Sequence, residues 1–370
     1  MAHETAMPHP IPAHTKESFQ RTLLSWYRRH RRNLPWRTSR DPYRIWIAEV
    51  MLQQTRIVAV LPYYKKFLEQ FPSVRQLALA PEQEVLRAWS GLGYYSRARH
   101  LRAAAQEIVS RHKGQFPSAP EAARELPGIG RYTAAAVLSI AYDVPLAVLD
   151  GNVARVLARL GAIRGDLRVP RVWRRLGIAA ENLLAARSPG DWNEALMELG
   201  EVICTPARPR CEVCPVSRWC RAFALGIAGK IPAPRRKHPA QKVRVAAALL
   251  LDPRGRTLLL RDPAAQDGAL FSRMWQFPAV EVARRPRTEL AAYLQSVFGL
   301  HGTRIELREL PAARHGVTFR EIQLLPYLVR VPRLPRRRHA RAMVVRRILD
   351  LPISSATRKI AAAAGWMPDR

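Results

Sequence analysis

The 370-residue chain reads as two structural classes in series, an all-helical region over 16–227 and an α+β region over 243–370. Three observations predict this. In the first stretch apolar residues recur at helical spacing, as in Phe19, Leu23, Leu24, Trp26 and Tyr27, and Pro and Gly punctuate successive candidates. Residues 228–242, which include GKIPAPRRKHPAQK, have the Pro-rich and basic composition of a linker. Beyond it, Val243–Leu251 and Thr257–Arg261 are strand-like runs flanking a turn at Asp252–Arg256. At about 150 residues per domain, the length suits two or three domains.

The helical candidates after the first are Ile45–Phe71, Glu82–Trp89, Arg97–His112, Tyr132–Tyr142 and Asn152–Leu160. In the second region Thr288–Phe298 reads as a helix and Phe319–Val329 as a further strand. Residues 1–15 read as a loose, disordered tail without the pattern of a secretory signal. No apolar run approaches the ~20 residues of a membrane span. The expectation is a cytoplasmic, monomeric protein with no membrane partner.

Hydrophobic residues make up 48% and charged residues 24%, which argues against a disordered chain. Lys and Arg number 61 against 29 Asp and Glu, a formal charge of +32. That excess suits a polyanionic partner, nucleic acid above all. The plainer reading is an Arg-rich composition, so charge alone does not decide. Residues Arg330–Arg347 hold eight Arg and no acid, either a phosphate-facing stripe or a solvated surface.

The four cysteines, Cys204, Cys211, Cys214 and Cys220, lie within seventeen residues at C-x6-C-x2-C-x5-C spacing. Such clustering suits one metal site rather than a disulfide framework. Zinc and a [4Fe–4S] cluster both remain open, with iron–sulfur favoured because only one C-x2-C knuckle is present.

Leu126-Pro127-Gly128-Ile129-Gly130-Arg131, ahead of an apolar helix, has the helix–hairpin–helix pattern. Its glycines and the following helix N-terminus suit a phosphate without reading sequence. A plain interhelical turn is the alternative. Glu49 is the one polar residue in Ile45–Leu52. Desolvation there raises a carboxyl's pKa and keeps a proton available for general acid work, unless the side chain faces water. Asp150 precedes Gly151-Asn152 at a helix start, where a capping role is the plainer reading. An anchored carboxylate there also suits stabilisation of a developing cation, so the pair follows the two-carboxyl logic of glycoside cleavage. Gln53-Gln54-Thr55 and Gly91-Leu92-Gly93-Tyr94-Tyr95 offer planar side chains able to wedge into a base stack, or a cap and a packed loop.

Taken together, these motifs resemble the MutY-type adenine DNA glycosylases of the helix–hairpin–helix superfamily. The matching stretches are LPWR at Leu34–Arg37, WIAEVMLQQT at Trp46–Thr55, GLGYYSRA at Gly91–Ala98 and LPGIGRYTA at Leu126–Ala134. DGNVARVL at Asp150–Leu157, NEALMELG at Asn193–Gly200 and the cysteine spacing complete the set. The resemblance covers roughly Phe19–Cys220 closely. It implies an all-α glycosylase core carrying a [4Fe–4S] cluster on the four cysteines. It also implies a monofunctional enzyme of base excision repair that flips out and excises adenine opposite 8-oxoguanine or guanine in double-stranded DNA. Glu49 would protonate adenine N7, Asp150 would stabilise the sugar cation, and Asn152 and Tyr132 would support them. Arg32, Leu34, Trp36, Arg37 and Glu194 would form the adenine pocket. Gln54 and Tyr94 would intercalate, and Gly128 and Gly130 would hold a phosphate. Tyr132 stands where bifunctional relatives carry a lysine nucleophile, and a phenol forms no Schiff base.

The C-terminal region resembles the family's Nudix-like lesion-recognition domain, through its hairpin and Met274-Trp275-Gln276-Phe277-Pro278. The acidic metal-binding helix of Nudix hydrolases is missing, since Thr288–Phe298 holds only Glu289. His315-Gly316-Val317-Thr318-Phe319 aligns with the family's Phe-Ser-His loop. Thr318 would keep a hydroxyl for the lesion, while Phe319 replaces the histidine. The alternatives are a glycosylase of the same superfamily for another mismatch or oxidised base, and a non-catalytic iron–sulfur DNA-binding protein.

Overall fold

The computed structural model describes residues 11–233, 240–262, 273–300, 306–317 and 319–367. The helices of its first part are α1 (Lys16–His30), α2 (Pro42–Leu52), α3 (Ile57–Gln70), α4 (Val74–Leu79), α5 (Glu82–Ala88) and α6 (Ser96–Arg111). They continue with α7 (Pro120–Glu125), α8 (Arg131–Tyr142), α9 (Gly151–Leu160), α10 (Pro170–Leu183), α11 (Pro189–Val202) and α12 (Arg221–Ala224). The second part holds β1 (Gln241–Leu251), β2 (Arg256–Leu260), β3 (Ala279–Glu281), α13 (Pro286–Phe298), β4 (Leu307–Glu309), β5 (Ala313–Val317), β6 (Arg320–Arg330), β7 (Ala340–Val344) and α14 (Ser355–Ala363). Among the described residues no helix is long and apolar enough to cross a membrane.

The chain divides into two compact units. One comprises Met1–Tyr64, Ser73–Ala78 and Ala103–Arg236; the other comprises Lys65–Pro72, Leu79–Arg102 and Lys237–Arg370. The division is therefore discontinuous along the sequence, unlike the single cut at 228–242 that composition suggests.

In the first unit α1, α8, α9 and α11 pack around one apolar core. Helix α9 contributes Val153, Val156, Leu157 and Leu160, an apolar stripe at helical spacing. Ile11 is fully buried in this core, and Ala13–Thr15 forms a 3-10 turn. Residues 11–15, inside the expected loose tail, thus hold defined places, because an isoleucine there has an apolar site to fill; residues 1–10 lie outside the described residues. The expected helical stretch Ile45–Phe71 is two helices. Gln54 adopts the left-handed conformation at φ +57°, which ends the helical path between α2 and α3.

In the second unit a seven-stranded sheet runs β4-β6-β1-β2-β7, with β3 also paired to β1 and β5 to β6. Among the described strands only β1 and β6 pair in parallel, in register from Gln241↔Arg320 to Leu251↔Arg330. Val243, Ala247 and Leu249 join a core that includes Ile360 of α14, while Ala246, Ala248 and Leu250 join one that includes Leu290 and Leu294 of α13. Burial on both faces explains why β1 reads as an unbroken apolar run instead of an alternating one. Residues 79–102 have partners in the same unit. Ser90 Oγ donates to the Ile353 carbonyl at 2.6 Å, and Trp275 Nε1 donates to Gln83 Oε1 at 3.2 Å.

Candidate active site

Helix α2 starts at Asp41, whose carboxylate accepts from the Tyr43 amide, with Pro42 at the first helical position. Its buried residues include Ile45, Trp46, Ile47 and, among them, Glu49, only 5% exposed. Tyr132, in the first turn of α8, donates its hydroxyl to Glu49 Oε2 at 2.7 Å. Burial pushes the Glu49 carboxyl up to about 7. The Tyr132 hydroxyl opposes the rise, and the Glu194 and Asp150 carboxylates add to it. Burial likewise drives the Tyr132 phenol well above its ordinary value, so it remains a neutral donor.

Asp150 caps α9. Its Oδ1 accepts from the Val153 amide at 2.7 Å, so the plainer reading of this residue holds. Burial raises its carboxyl, while that amide and Arg155 oppose the rise. The capping carboxyl also lies on the wall of the cavity described below. Asn152 Oδ1 accepts from Arg155 Nη2 at 2.8 Å, and Arg155 also donates to the Gly200 and Cys204 carbonyls at 2.8 Å. Helices α9 and α11 meet closely at Gly200, where a Cβ would lie 2.9 Å from Asn152 Cβ. On α11, Asn193 is buried and holds the segment leading to Asp150, accepting from the Val148 amide and donating to the Leu146 carbonyl.

Arg37 pairs with Glu194 at 3.1 Å and with Glu198 at 2.9 Å. Arg32 meets Glu198 through two bonds, at 2.7 and 2.8 Å, and Tyr27 donates to Glu194 Oε2 at 2.9 Å. Burial works against the Glu198 charge, yet hydrogen bonds from Arg32 and Arg37 hold its carboxyl below the ordinary value. Glu194 is raised by burial despite Arg37 and Tyr27.

One cavity of about 650 Å³ gathers Glu49, Asp150, Asn152, Tyr132, Arg32, Leu34, Trp36, Arg37, Glu194 and Gln54 on its wall. Glu198, Arg155 and Met197 also line it, and the sequence reading did not name them as site residues. Glu198 was findable: it lies four residues beyond Glu194, on the same face of one helix. Arg155 carries no comparable local signal.

Gly128 and Gly130 lie in the hairpin between α7 and α8, both exposed beside buried Ile129. Gly128 has φ +76°, a left-handed turn that favours glycine, whereas Gly130 is extended and leads into α8. Tyr94 belongs to the second unit, 42% exposed at φ +47°, with the Arg97 guanidinium 5.3 Å from its ring. Thr318 lies outside the described residues. Its neighbour Phe319 is 58% exposed.

The four cysteines line a second cavity of the first unit with Arg159, Ile203, Phe223 and Ala228. Burial pushes the Cys214 thiol up to about 12, and the neighbouring sulfurs add to the rise. Arg159, 1% exposed, donates to Cys204 Sγ at 3.2 Å and to the carbonyls of Cys204, Thr205 and Pro206. Four sulfurs facing one apolar cavity, with a guanidinium directed at one of them, suit an iron–sulfur group. A bound cation supplies the charge that thiolates need there, and hydrogen bonds to sulfur tune such groups.

The first unit thus combines a helical core, a glycine hairpin and one cavity lined by five acids, Glu49 and Asp150 among them. The profile described as HhH-GPD superfamily base excision DNA repair protein matches residues 47–181. A solved thermostable thymine-DNA glycosylase is 30% identical, with a TM-score of 0.52, over 57% of this chain and 98% of that one. The adenine DNA glycosylase of Mus musculus is 44% identical over 58% of this chain and 44% of its own length. That of Homo sapiens is 44% identical over 55% and 39%. The chain belongs to the HhH-GPD superfamily of base excision DNA repair proteins. It spans less than half the length of these mammalian relatives.

Proposed function

We propose that this protein is a monofunctional DNA glycosylase that excises adenine opposite 8-oxoguanine or guanine. The observation that carries the reading is Glu49, buried, hydrogen-bonded to Tyr132 and sharing one cavity with Asp150. A carboxyl near 7 is protonated in about half of the molecules at neutral pH, so it both holds a proton and gives it up readily. In the proposed step Glu49 protonates N7 of a flipped adenine. The C1′–N9 bond then breaks, its electron pair leaves with the base, and the sugar becomes an oxocarbenium ion. Asp150, ionised and anchored by the Val153 amide, stabilises that cation until water adds at C1′. Glu49, now a carboxylate, accepts the proton that water releases. Asn152 and Tyr132 support the two acids. Arg32, Leu34, Trp36, Arg37 and Glu194 shape the adenine pocket.

Gln54 and Tyr94 are read as the wedge into the base stack, and the Gly128–Gly130 hairpin as the phosphate grip. Cys204, Cys211, Cys214 and Cys220 would hold a [4Fe–4S] cluster, which supplies structural order to its loop and takes no part in base release. The second unit, an α+β sheet of the Nudix-like kind, is read as the 8-oxoguanine reader, with Thr318 and Phe319 at the reading loop.

Similarity to a thymine-DNA glycosylase favours one other reading, removal of thymine from a mismatch. A base-release assay decides between them. Duplexes would carry adenine opposite 8-oxoguanine, guanine or cytosine, and thymine opposite guanine. The expected result is adenine release, fastest opposite 8-oxoguanine, and a fall of roughly 10²–10⁴ in Glu49→Gln. Release of thymine alone would establish the second reading. Tight duplex binding with no base released would make the protein a non-catalytic binder.

A further inference from the structure

The second unit contains a groove of about 620 Å³ that the proposed reaction does not use. Its walls are the turn after β1 and the segment between β6 and β7, and its lining includes five arginines: Arg254, Arg256, Arg333, Arg336 and Arg337. Pro253, Pro332 and Pro335 stiffen both walls. Asp252 is the one acid on the wall, and its side chain is 2% exposed. It is committed internally. Its Oδ1 accepts the Arg254 and Arg256 amides at 3.0 and 2.9 Å, and its Oδ2 pairs with Arg256 at 2.8 Å. That carboxylate builds the turn, cancels one guanidinium and presents almost no negative surface.

The remaining four guanidiniums have no carboxylate partner among the described residues. Arg337 is directed by its donation to the Val297 carbonyl and by its place 5.5 Å from the Phe298 ring. All four side chains are exposed, yet they are not scattered: they share one concave wall whose floor includes Leu258 and Leu334, of a size common for ligand sites. Arginine forks match phosphate oxygens two at a time, and neighbouring arginines favour neighbouring phosphates.

We propose that this groove is an oligophosphate site, taking two or more consecutive phosphates. The phosphates come either from the backbone of a DNA strand or from the tail of a nucleoside polyphosphate. The Arg-rich segment 330–347 then has a ligand-facing part, Arg333 to Arg337. The proposal stands apart from the excision chemistry, since the residues that carry it lie outside the cavity of Glu49.

The test uses the full chain and the double substitution Arg333→Ala/Arg336→Ala, whose two exposed side chains leave the core intact. Titration calorimetry with inorganic tripolyphosphate reads the site directly. The slope of log Kd against log salt for an undamaged duplex reads DNA phosphates. Weakening of tripolyphosphate binding by about tenfold or more, with an unchanged duplex slope, assigns the nucleotide source. A slope smaller by about 1–2, which is one or two fewer neutralised phosphates, assigns the DNA backbone whatever the tripolyphosphate result. Equal values for wild type and variant in both measurements overturn the proposal.

Discussion

Glu49 and Tyr132 form the smallest unit on which the proposed chemistry depends. The hydroxyl donates to the carboxylate at 2.7 Å, and such a bond favours the charged acid. Removing it in Tyr132→Phe therefore raises the Glu49 pKa from about 7. The alkaline fall of the base-release rate is expected to move to higher pH in this variant, measured in single-turnover reactions across a pH series. An unmoved profile would separate the hydroxyl from the acid. Sequence made Glu49 legible because a lone carboxyl in an apolar helical run has few benign explanations. It made the partnership with Tyr132 legible only through the family resemblance, since 83 positions separate the two. Arg155 was not singled out for the same reason: its bonds to the Gly200 and Cys204 carbonyls run between elements, which no local pattern encodes.

At the scale of elements, α9 joins stability to the proposed function at its N-terminal cap. Asp150 caps the helix through the Val153 amide, and the same carboxyl faces the cavity. Two substitutions separate those tasks. Asp150→Asn keeps a good cap, so thermal stability should be nearly unchanged while base release falls by roughly 10² or more. Asp150→Ala removes the cap as well and should add a stability loss of about 1 kcal/mol, read from denaturant unfolding. Equal stabilities for the two would show that the cap carries little. Helix positions were largely readable, because apolar spacing and Pro or Gly punctuation mark them. The break at Gln54 was not. Gln is an ordinary helix former, and the left-handed turn there depends on what surrounds it. In the sheet, β1 was legible as a long apolar run and β6 by its partial alternation, whereas β3 and β4, at three residues each, are too short to show a period.

For the molecule as a whole, the proposals place the excess charge of +32 at two anion-meeting features, the glycine hairpin in the unit of the Glu49 cavity and the arginine groove in the other unit. The discontinuous division bears on how the C-terminal region is best tested. Deleting everything beyond Lys242 would also remove Ile353 and Trp275, the partners of Ser90 and Gln83, and so disturb residues 79–102. Phe319→Ala leaves those contacts in place. If the segment at Phe319 reads the lesion, this variant should lower the ratio of adenine release opposite 8-oxoguanine to that opposite guanine. Its release rate opposite guanine should stay as in the wild type. An unchanged ratio would move lesion reading elsewhere. The sequence signalled two regions of different texture, yet not that part of the helical stretch clusters with the sheet, because such contacts join residues up to 268 positions apart.

The central claim is that a buried acid near pH 7 delivers the proton that turns adenine into a leaving group. Single-turnover adenine release from a duplex with 8-oxoguanine, followed from about pH 5 to about pH 9, tests it most directly. A raised carboxyl is active while protonated, so the rate should be level at low pH and fall about tenfold per unit above about 7. A rate that is flat across the range, or that climbs as protons are withdrawn, would contradict it.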